Sequence, residues 1–320
     1  MAGLHVPVVD LSPLRGGDAA ARAAAARAFG DAFEHTGFVT VVNHGVPDAL
    51  VHDTYRAAHG FFALPMQDKT RHTPPEQTKG RGYLPLGIES VAATLAGKTA
   101  PDLCEALVFA SLQREAAGLG APNFWPGQPA QLAPLVRQWF DAMLALCRTL
   151  MRMSALALDL PEQHFDAAFT EPSLTLRFVH YPDQPQPPAP GQLRYGAHHD
   201  YGGLTILRQD DAPGGLQVAD SAGRWHDVPP LPGSFVINAG DLMARWTNGR
   251  WRSTLHRVMN PGRELTGSTS RLSMVAFTGP HPSTLVDALP TCIGSGLPVP
   301  DGPVEAGAYI QSKIAASHAL

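Results

Sequence analysis

"YGAHHDYGGLTIL", residues 195–207, sets His198, His199 and Asp200 in consecutive positions immediately before an apolar, β-prone run. Successive side chains of a strand point to opposite faces, so positions 198 and 200 share a face and 199 does not. His198 and Asp200 can therefore grip one ion together while His199 points away. The competing reading is a turn, with a histidine of no special role and an aspartate bonded to its own backbone. The rest of the chain has to decide between them.

The β-prone character continues on both sides. From Leu174 onward short runs succeed one another between Pro, Gly, Asp and Asn: "LTLRFVHYP", "GLTILRQD", "GLQVAD", "RWHDVPP", "SFVINAGD", "STLHRVMNP" and "RLSMVAFTG". That spacing predicts a sandwich or a closed jelly-roll sheet. Asp210 and Asp211, ahead of "APGG", read as a hairpin, and "QPQPPAPGQ" (184–192) as a loop too short to link domains. Upstream, residues 6–12 alternate as a short strand, Asp18 opens an Ala-rich helix that ends at Gly37, 38–47 read as a β-branched strand stopped by Asn-His-Gly and 55–62 as a helix. Residues 130–159 carry apolar side chains at spacings of three and four, the pattern of a long amphipathic helix backing a core. A short helix is expected near 307–316.

Composition bounds the partners. The chain has 320 residues, 44% of them hydrophobic and 16% charged, with a formal net charge of -4 and no long run of either sign. Nothing there calls for nucleic acid or an anionic membrane surface. The apolar stretch 139–160 is broken by Asp141, Arg148, Arg152 and Asp159, so it is a buried helix and not a span. No basic-then-apolar signal pattern opens the sequence. Cys104, Cys147 and Cys292 are widely spaced, which fits free, buried thiols and a cytoplasmic location. The expected partner is a small-molecule substrate, with no protein partner evident.

A third ligand is sought on another strand. His256, in "STLHRVMNP", lies far enough along to return across a barrel. Two imidazoles and one carboxylate suit a non-haem Fe(II) oxygenase, although such ligands do not by themselves exclude zinc. Arg271 and Ser273, on the next strand-like run, also share a face. A guanidinium beside a hydroxyl matches a buried carboxylate, so a keto-acid cosubstrate held at both ends would fit.

On these motifs the chain resembles the isopenicillin N synthase-like family of Fe(II)/2-oxoglutarate-dependent dioxygenases. "VPVVDLS", "TGFVTVVNHGVP" and "RGYLPLG" are similar to the family's N-terminal region. "GAHHDYGGLTIL", "DDAPGGLQV", "WHDVPPLPGSFVINAGDLMARWTNGRWRSTLHRVMNP" and "RLSMVAF" are similar to its catalytic core. The resemblance implies an α+β fold: a double-stranded β-helix (jelly-roll) core at 173–285, an N-terminal helix/strand region at 1–115, a helical backing segment at 116–172 and a C-terminal tail and helix at 286–320, as one compact unit. It implies Fe(II) on His198, Asp200 and His256, and 2-oxoglutarate with its distal carboxylate on Arg271 and Ser273. Tyr181 matches a tyrosine that touches the cosubstrate in several members. With O2 these parts hydroxylate an unactivated C–H bond, or desaturate or cyclise the substrate, and release succinate and CO2. His199 stands where Thr or Ser is more usual, and Val179-His180 replaces a familiar Asn-Tyr.

Arg177 lies four residues before Tyr181 and so shares its face. It is expected either to pair with a core carboxylate such as Glu105 or to meet an anionic or strongly polar group of the substrate. Asp241, Asn248 and His44 read as turn residues, and Trp246 and Trp251 as packing at the rim. The alternatives to the 2-oxoglutarate reading are an Fe(II)/O2 oxidase of the same family, a zinc hydrolase on a β-barrel, and a metal-free binding module.

Overall fold

The computed structural model describes residues 4–75, 80–96, 99–118, 121–294 and 302–318. Parts of the polar segment after the second expected helix and of the C-terminal tail, 76–79, 295–301 and 319–320, lie outside the described residues.

β1 (Val8–Asp10) pairs in parallel with β2 (Phe38–Val42), and α1 (Pro13–Gly16) and α2 (Ala19–His35) connect them. Asp18 caps α2: its carboxylate accepts the Ala21 N–H at 2.8 Å, satisfying a first-turn donor that has no helical partner. β2 ends at Val42, directly before the Asn-His-Gly run expected to stop it, and Asn43 adopts a left-handed φ of 51°. α3 (Asp48–Phe62) begins earlier than expected, directly after Pro47, and α4 (Met66–Thr70) follows. β3 (Gly82–Leu84), α5 (Ala93–Ala96), β4 (Glu105–Ala110) and α6 (Leu112–Ala116) lead to α7 (Leu132–Ala157). α7 buries Val136, Trp139, Met143, Leu146, Leu150 and Met153, the face that its spacing requires.

The next strands are β5 (Ser173–Tyr181), β6 (Tyr195–His198), β7 (Leu204–Arg208), β8 (Gly215–Ala219), β9 (Trp225–Asp227), β10 (Ser234–Ala239), β11 (His256–Met259) and β12 (Arg271–Gly279). α8 (Asp241–Trp246) interrupts them after β10, and α9 (Ala306–His318) follows them. β1 to β12 form two sheets, an eight-stranded one in the order β1-β2-β10-β7-β12-β5-β4-β3 and a four-stranded one in the order β6-β11-β8-β9, and β13 (Leu285–Val286) pairs with β14 (Val304–Glu305) in a separate two-stranded sheet. From β5 to β8 and from β10 to β12 the chain alternates between the sheets, the jelly-roll pattern. Strands from residues 1–115 extend both edges of the large sheet, and α2, α3 and α7 cover its outer face.

Three expectations fail here. Asp210 and Asp211 do not make a hairpin: β7 pairs with β10 and β12, whereas β8 pairs with β11 and β9, so residues 209–214 carry the chain from one sheet to the other. Trp251 is not at the rim; it is fully buried, stacked on Phe33 at 4.7 Å, and Trp246 is buried beside Phe165. Asp241 is not a turn residue: it begins α8, and its carboxylate accepts from Ser253 Oγ at 2.7 Å and Lys313 Nζ at 2.7 Å. In each case the deciding partner is remote in sequence. Asn248 does occupy a turn, with a φ of 49°.

Because Trp251 fills the space between α2 and the large sheet, Trp251→Ala should cost about 3–5 kcal/mol through lost transfer energy and the cavity left behind. Urea unfolding followed by circular dichroism measures this, and a loss below about 1 kcal/mol would place Trp251 at a tolerant position.

Candidate active site

His198 ends β6 and His256 begins β11, and the two are directly opposed in the small sheet. Asp200 follows two residues after His198. Its Oδ1 lies 3.5 Å from His198 Nε2 and 3.7 Å from His256 Nε2. All three side chains are buried, and among the described residues they form the only group of three with metal-ligand spacing.

The orientation of each group is fixed from behind. His198 Nδ1 is 2.9 Å from the Gly196 carbonyl and His256 Nδ1 is 2.9 Å from the Thr254 carbonyl, so both rings donate from Nδ1 and leave Nε2 with its lone pair. Asp200 Oδ2 accepts from Thr205 Oγ1 at 2.6 Å and Asn238 Nδ2 at 2.7 Å, which leaves Oδ1 for the imidazoles' side. Thr205 on β7 and Asn238 on β10 are themselves cross-strand partners. Sequence reasoning assigned neither of them a role; both lie in stretches quoted above, but only the pairing reveals what they hold. His199 points elsewhere, with Nδ1 2.8 Å from the Ser253 carbonyl, although β6 ends at His198 and strand alternation does not extend to Asp200.

Electrostatics agree with a cation site. Burial alone would raise the Asp200 carboxyl, but the His256 and His198 imidazoles and the Asn238 amide hold it well below the usual range. Burial, together with the neighbouring His198, pushes the His256 pKa down to about 4. A buried carboxylate beside two imidazoles that turn Nδ1 to backbone carbonyls is a metal-ligand donor set, and three protein ligands leave positions open for other donors.

Opposite this group, β12 and β5 present their inward faces. Arg271 pairs in register with Tyr181, Ser273 with Val179 and Val275 with Arg177. Ser273, Tyr181 and Arg177 line a cavity of 60 Å3 together with His198, Asp200 and His256. Arg271 belongs to the large sheet and His256 to the small one, and Arg271 lines not this cavity but a neighbouring one with Gln209, Ala212 and Leu216, the last of which the two cavities share. The Arg271 Nη atoms are held by the crossing segment, at 3.0 Å from the Ala212 carbonyl and 2.8 Å from Gln209 Oε1. Its Nε–H is buried with no acceptor among the described residues, and the Tyr181 and Ser273 hydroxyls meet near it. A guanidinium with one unfilled donor next to two hydroxyls suits an incoming carboxylate.

Arg177 does not pair with Glu105. Glu105 lies opposite His180, and Arg177 lies opposite Val108, so the two charges are on different faces of the sheet. Glu105 is instead held on the outer face by Lys69 at 2.8 Å, His180 at 2.7 Å and the Tyr83 hydroxyl. The partner of Arg177 is Glu89, which its two Nη atoms grip in a fork.

Comparison with known proteins agrees with this geometry. Residues 171–280 match the model of the 2OG-Fe(II) oxygenase superfamily, and residues 6–128 match that of the non-haem dioxygenase in morphine synthesis N-terminal family. The chain belongs to the 2OG-Fe(II) oxygenase superfamily. It is 33% identical to the 2-oxoglutarate-Fe(II) type oxidoreductase hxnY of Emericella nidulans, over 98% of this chain and 91% of that one. It is 32% identical to a homoarginine-6-hydroxylase of Arabidopsis thaliana, over 80% and 73% respectively. The crystal structure of a full-length Neurospora crassa protein in complex with alpha-KG and thymine superposes with a TM-score of 0.87 at 29% identity, covering 98% of this chain and 97% of that one. The oxygenase is thus an Fe(II)- and 2-oxoglutarate-dependent enzyme that uses O2, and its jelly roll is that of its structural neighbours. No helix among its described residues is long and apolar enough to cross a membrane.

The depressed pKa of His256 makes the metal-free oxygenase sensitive to acid. Its folded pKa of about 4 lies below its ordinary value of 6.5, so between these pH values the unfolded chain takes up a proton that the folded one refuses. Stability is complete above pH 6.5 and should fall as pH drops toward 4, by at most about 3 kcal/mol from this group. Melting temperatures of metal-stripped protein across that range should show the slope, and His256→Gln should reduce it. An equal slope in the variant would assign the effect to other groups.

Proposed function

We propose that His198, Asp200 and His256 hold Fe(II), that Arg271 and Ser273 take the distal carboxylate of 2-oxoglutarate, and that Tyr181 contacts it beside them. The observation that carries this reading is the division of labour at Asp200, where Thr205 and Asn238 occupy one oxygen and the other faces two imidazole Nε2 atoms. The chemistry the bound metal supplies is O2-dependent oxidation, in which 2-oxoglutarate is decarboxylated to succinate and CO2 and one oxygen atom goes to a substrate C–H bond. The protein's own part is to orient both imidazoles through Nδ1, to hold Asp200 ionised and to position Arg271. Hydroxylation of a small molecule is the default outcome, and desaturation or ring closure needs the same parts.

The substrate stands on the side of the cavity where Arg177 lies, among Phe38, Tyr195, Leu207, Val275 and Phe277. Relatives differ widely here, since one is named for homoarginine and another has thymine bound. Substrate identity therefore has to come from this chain's own walls. Three buried cysteines, none of them in a disulfide, support a reducing, cytoplasmic location. The fork of Arg271 and the 2-oxoglutarate enzymes among the relatives favour the cosubstrate-dependent route over an Fe(II)/O2 oxidase.

His198→Ala, Asp200→Ala and His256→Ala should each abolish Fe(II) binding and succinate release, whereas His199→Thr should retain most of both. Iron analysis after anaerobic loading checks it, and loss of iron in His199→Thr alone would overturn the ligand assignment. Arg271→Gln should raise the KM for 2-oxoglutarate roughly tenfold or more, since hydrogen bonds to charged groups contribute about 1.5–3 kcal/mol. Unchanged dependence on 2-oxoglutarate would instead favour the oxidase.

A further inference from the structure

Arg177 projects from β5 into the cavity, yet its charge is already matched. Glu89 Oε1 lies 3.1 Å from Arg177 Nη1, and Oε2 meets Nη2, so the carboxylate closes the end of the fork. Glu89 does not line the cavity; it approaches from the 85–92 segment with its side chain partly exposed, while that of Arg177 is largely buried. The segment is held firmly. Asp102 N donates to the Glu89 carbonyl at 2.8 Å, and the Asp102 carboxylate accepts from Val91 N and Gly196 N, each at 2.8 Å. Glycine at 196 is what allows this approach, because a Cβ there would stand 2.6 Å from Ala92 Cβ.

Two consequences follow for a ligand. The first is that one donor remains, since Arg177 Nε–H is buried and no protein group accepts it among the described residues. The second is that no surplus positive charge remains. Arg177 is offset by Glu89, and the buried Asp102 carboxyl, hydrogen-bonded to the 85–92 segment, supplies no positive charge either. The other walls near Arg177 are the Tyr195 ring, over which its guanidinium lies at 5.6 Å, and the apolar Val179 and Val275. An acceptor on a neutral molecule satisfies the open N–H at no electrostatic cost. A carboxylate would bring a second anion to a guanidinium already paired, in a place that water does not screen.

Resting on the assignment of this cavity to the substrate, we infer that the substrate is an uncharged compound presenting a neutral carbonyl acceptor, of amide or lactam type, to Arg177, and that Glu89 is the residue that rejects carboxylic acids. Arg177 supplies the hydrogen bond, and Glu89 sets which charge it accepts. Removing the Glu89 charge while keeping its shape frees Arg177 to take an anion.

The test uses the full chain loaded with Zn(II) and N-oxalylglycine, a redox-inert pair, whose uptake is measured first by calorimetry. That step reports on the metal and cosubstrate site by itself, so its failure counts against the proposed function and not against the charge rule. Matched amide and acid probes of the same shape (benzamide and benzoate, nicotinamide and nicotinate, indole-3-acetamide and indole-3-acetate) are then titrated by ligand-observed NMR. Wild-type protein should bind the amides at least about tenfold more tightly than the acids, and Glu89→Gln should lower that ratio by about tenfold. Acids binding the wild type as well as amides do, or no amide binding at all, overturns the inference whether or not the variant folds. An unchanged ratio in a folded Glu89→Gln protein removes Glu89 as the selector. Arg177→Met serves as the second variant, and it should weaken the amides while leaving Zn(II) uptake intact.

Discussion

The carboxylate of Asp200 is a charge taken out of water, and its surroundings are arranged around that cost. A buried anion persists only if it is paired and hydrogen-bonded. Thr205 and Asn238 satisfy one oxygen from two neighbouring strands of the large sheet, and the histidines of the small sheet face the other. Asp200 thus ties the two sheets together at the point where the barrel is open to a ligand. Its backbone takes part as well, since the Asp200 carbonyl accepts the Asp241 N–H at 2.8 Å and so places α8. Through the Asp241 carboxylate the same corner reaches Lys313 on α9, whose ammonium lies 5.9 Å from the Tyr201 ring.

A similar constraint operates around Arg271, which lines a neighbouring cavity. The 209–212 segment has to cross from one sheet to the other, and a crossing segment cannot pair its backbone in either. Its carbonyls at Asp210 and Ala212 and the Gln209 side chain turn instead to the Arg271 guanidinium. The Asp210 carboxylate accepts the Leu272 N–H at 2.7 Å and the Tyr55 hydroxyl at 2.9 Å, which binds α3 to the same place. What reads as a hairpin from its composition is the mount of the Arg271 guanidinium.

The large sheet keeps its two charged clusters apart by strand parity. Lys69, Glu105, His180 and Tyr83 form a buried network on the helix-covered face. Arg177 and Glu89 meet on the cavity side. Parity is legible in the residue numbers: Arg177 and Tyr181 are an even number of residues apart and Arg177 and His180 an odd number. The register of β4 against β5 is not, and without it Glu105 could be placed on the wrong face.

The sequence alone determined the elements whose signals are local. Alternation separated His198 and Asp200 from His199, the spacing of apolar residues marked α7, Asp18 marked the start of α2, and the order of the motifs pointed to the jelly roll. These follow from side-chain periodicity and backbone chemistry within a few residues. Only the tertiary structure decided the partners that come from far along the chain. Glu89 lies opposite Arg177, Thr205 and Asn238 lie behind Asp200, Trp251 lies inside the core, and Asp210 is in a crossing instead of a hairpin. Strand register and sheet membership bring these residues together, and both are set by the packing of the whole barrel, which no window of neighbouring residues contains.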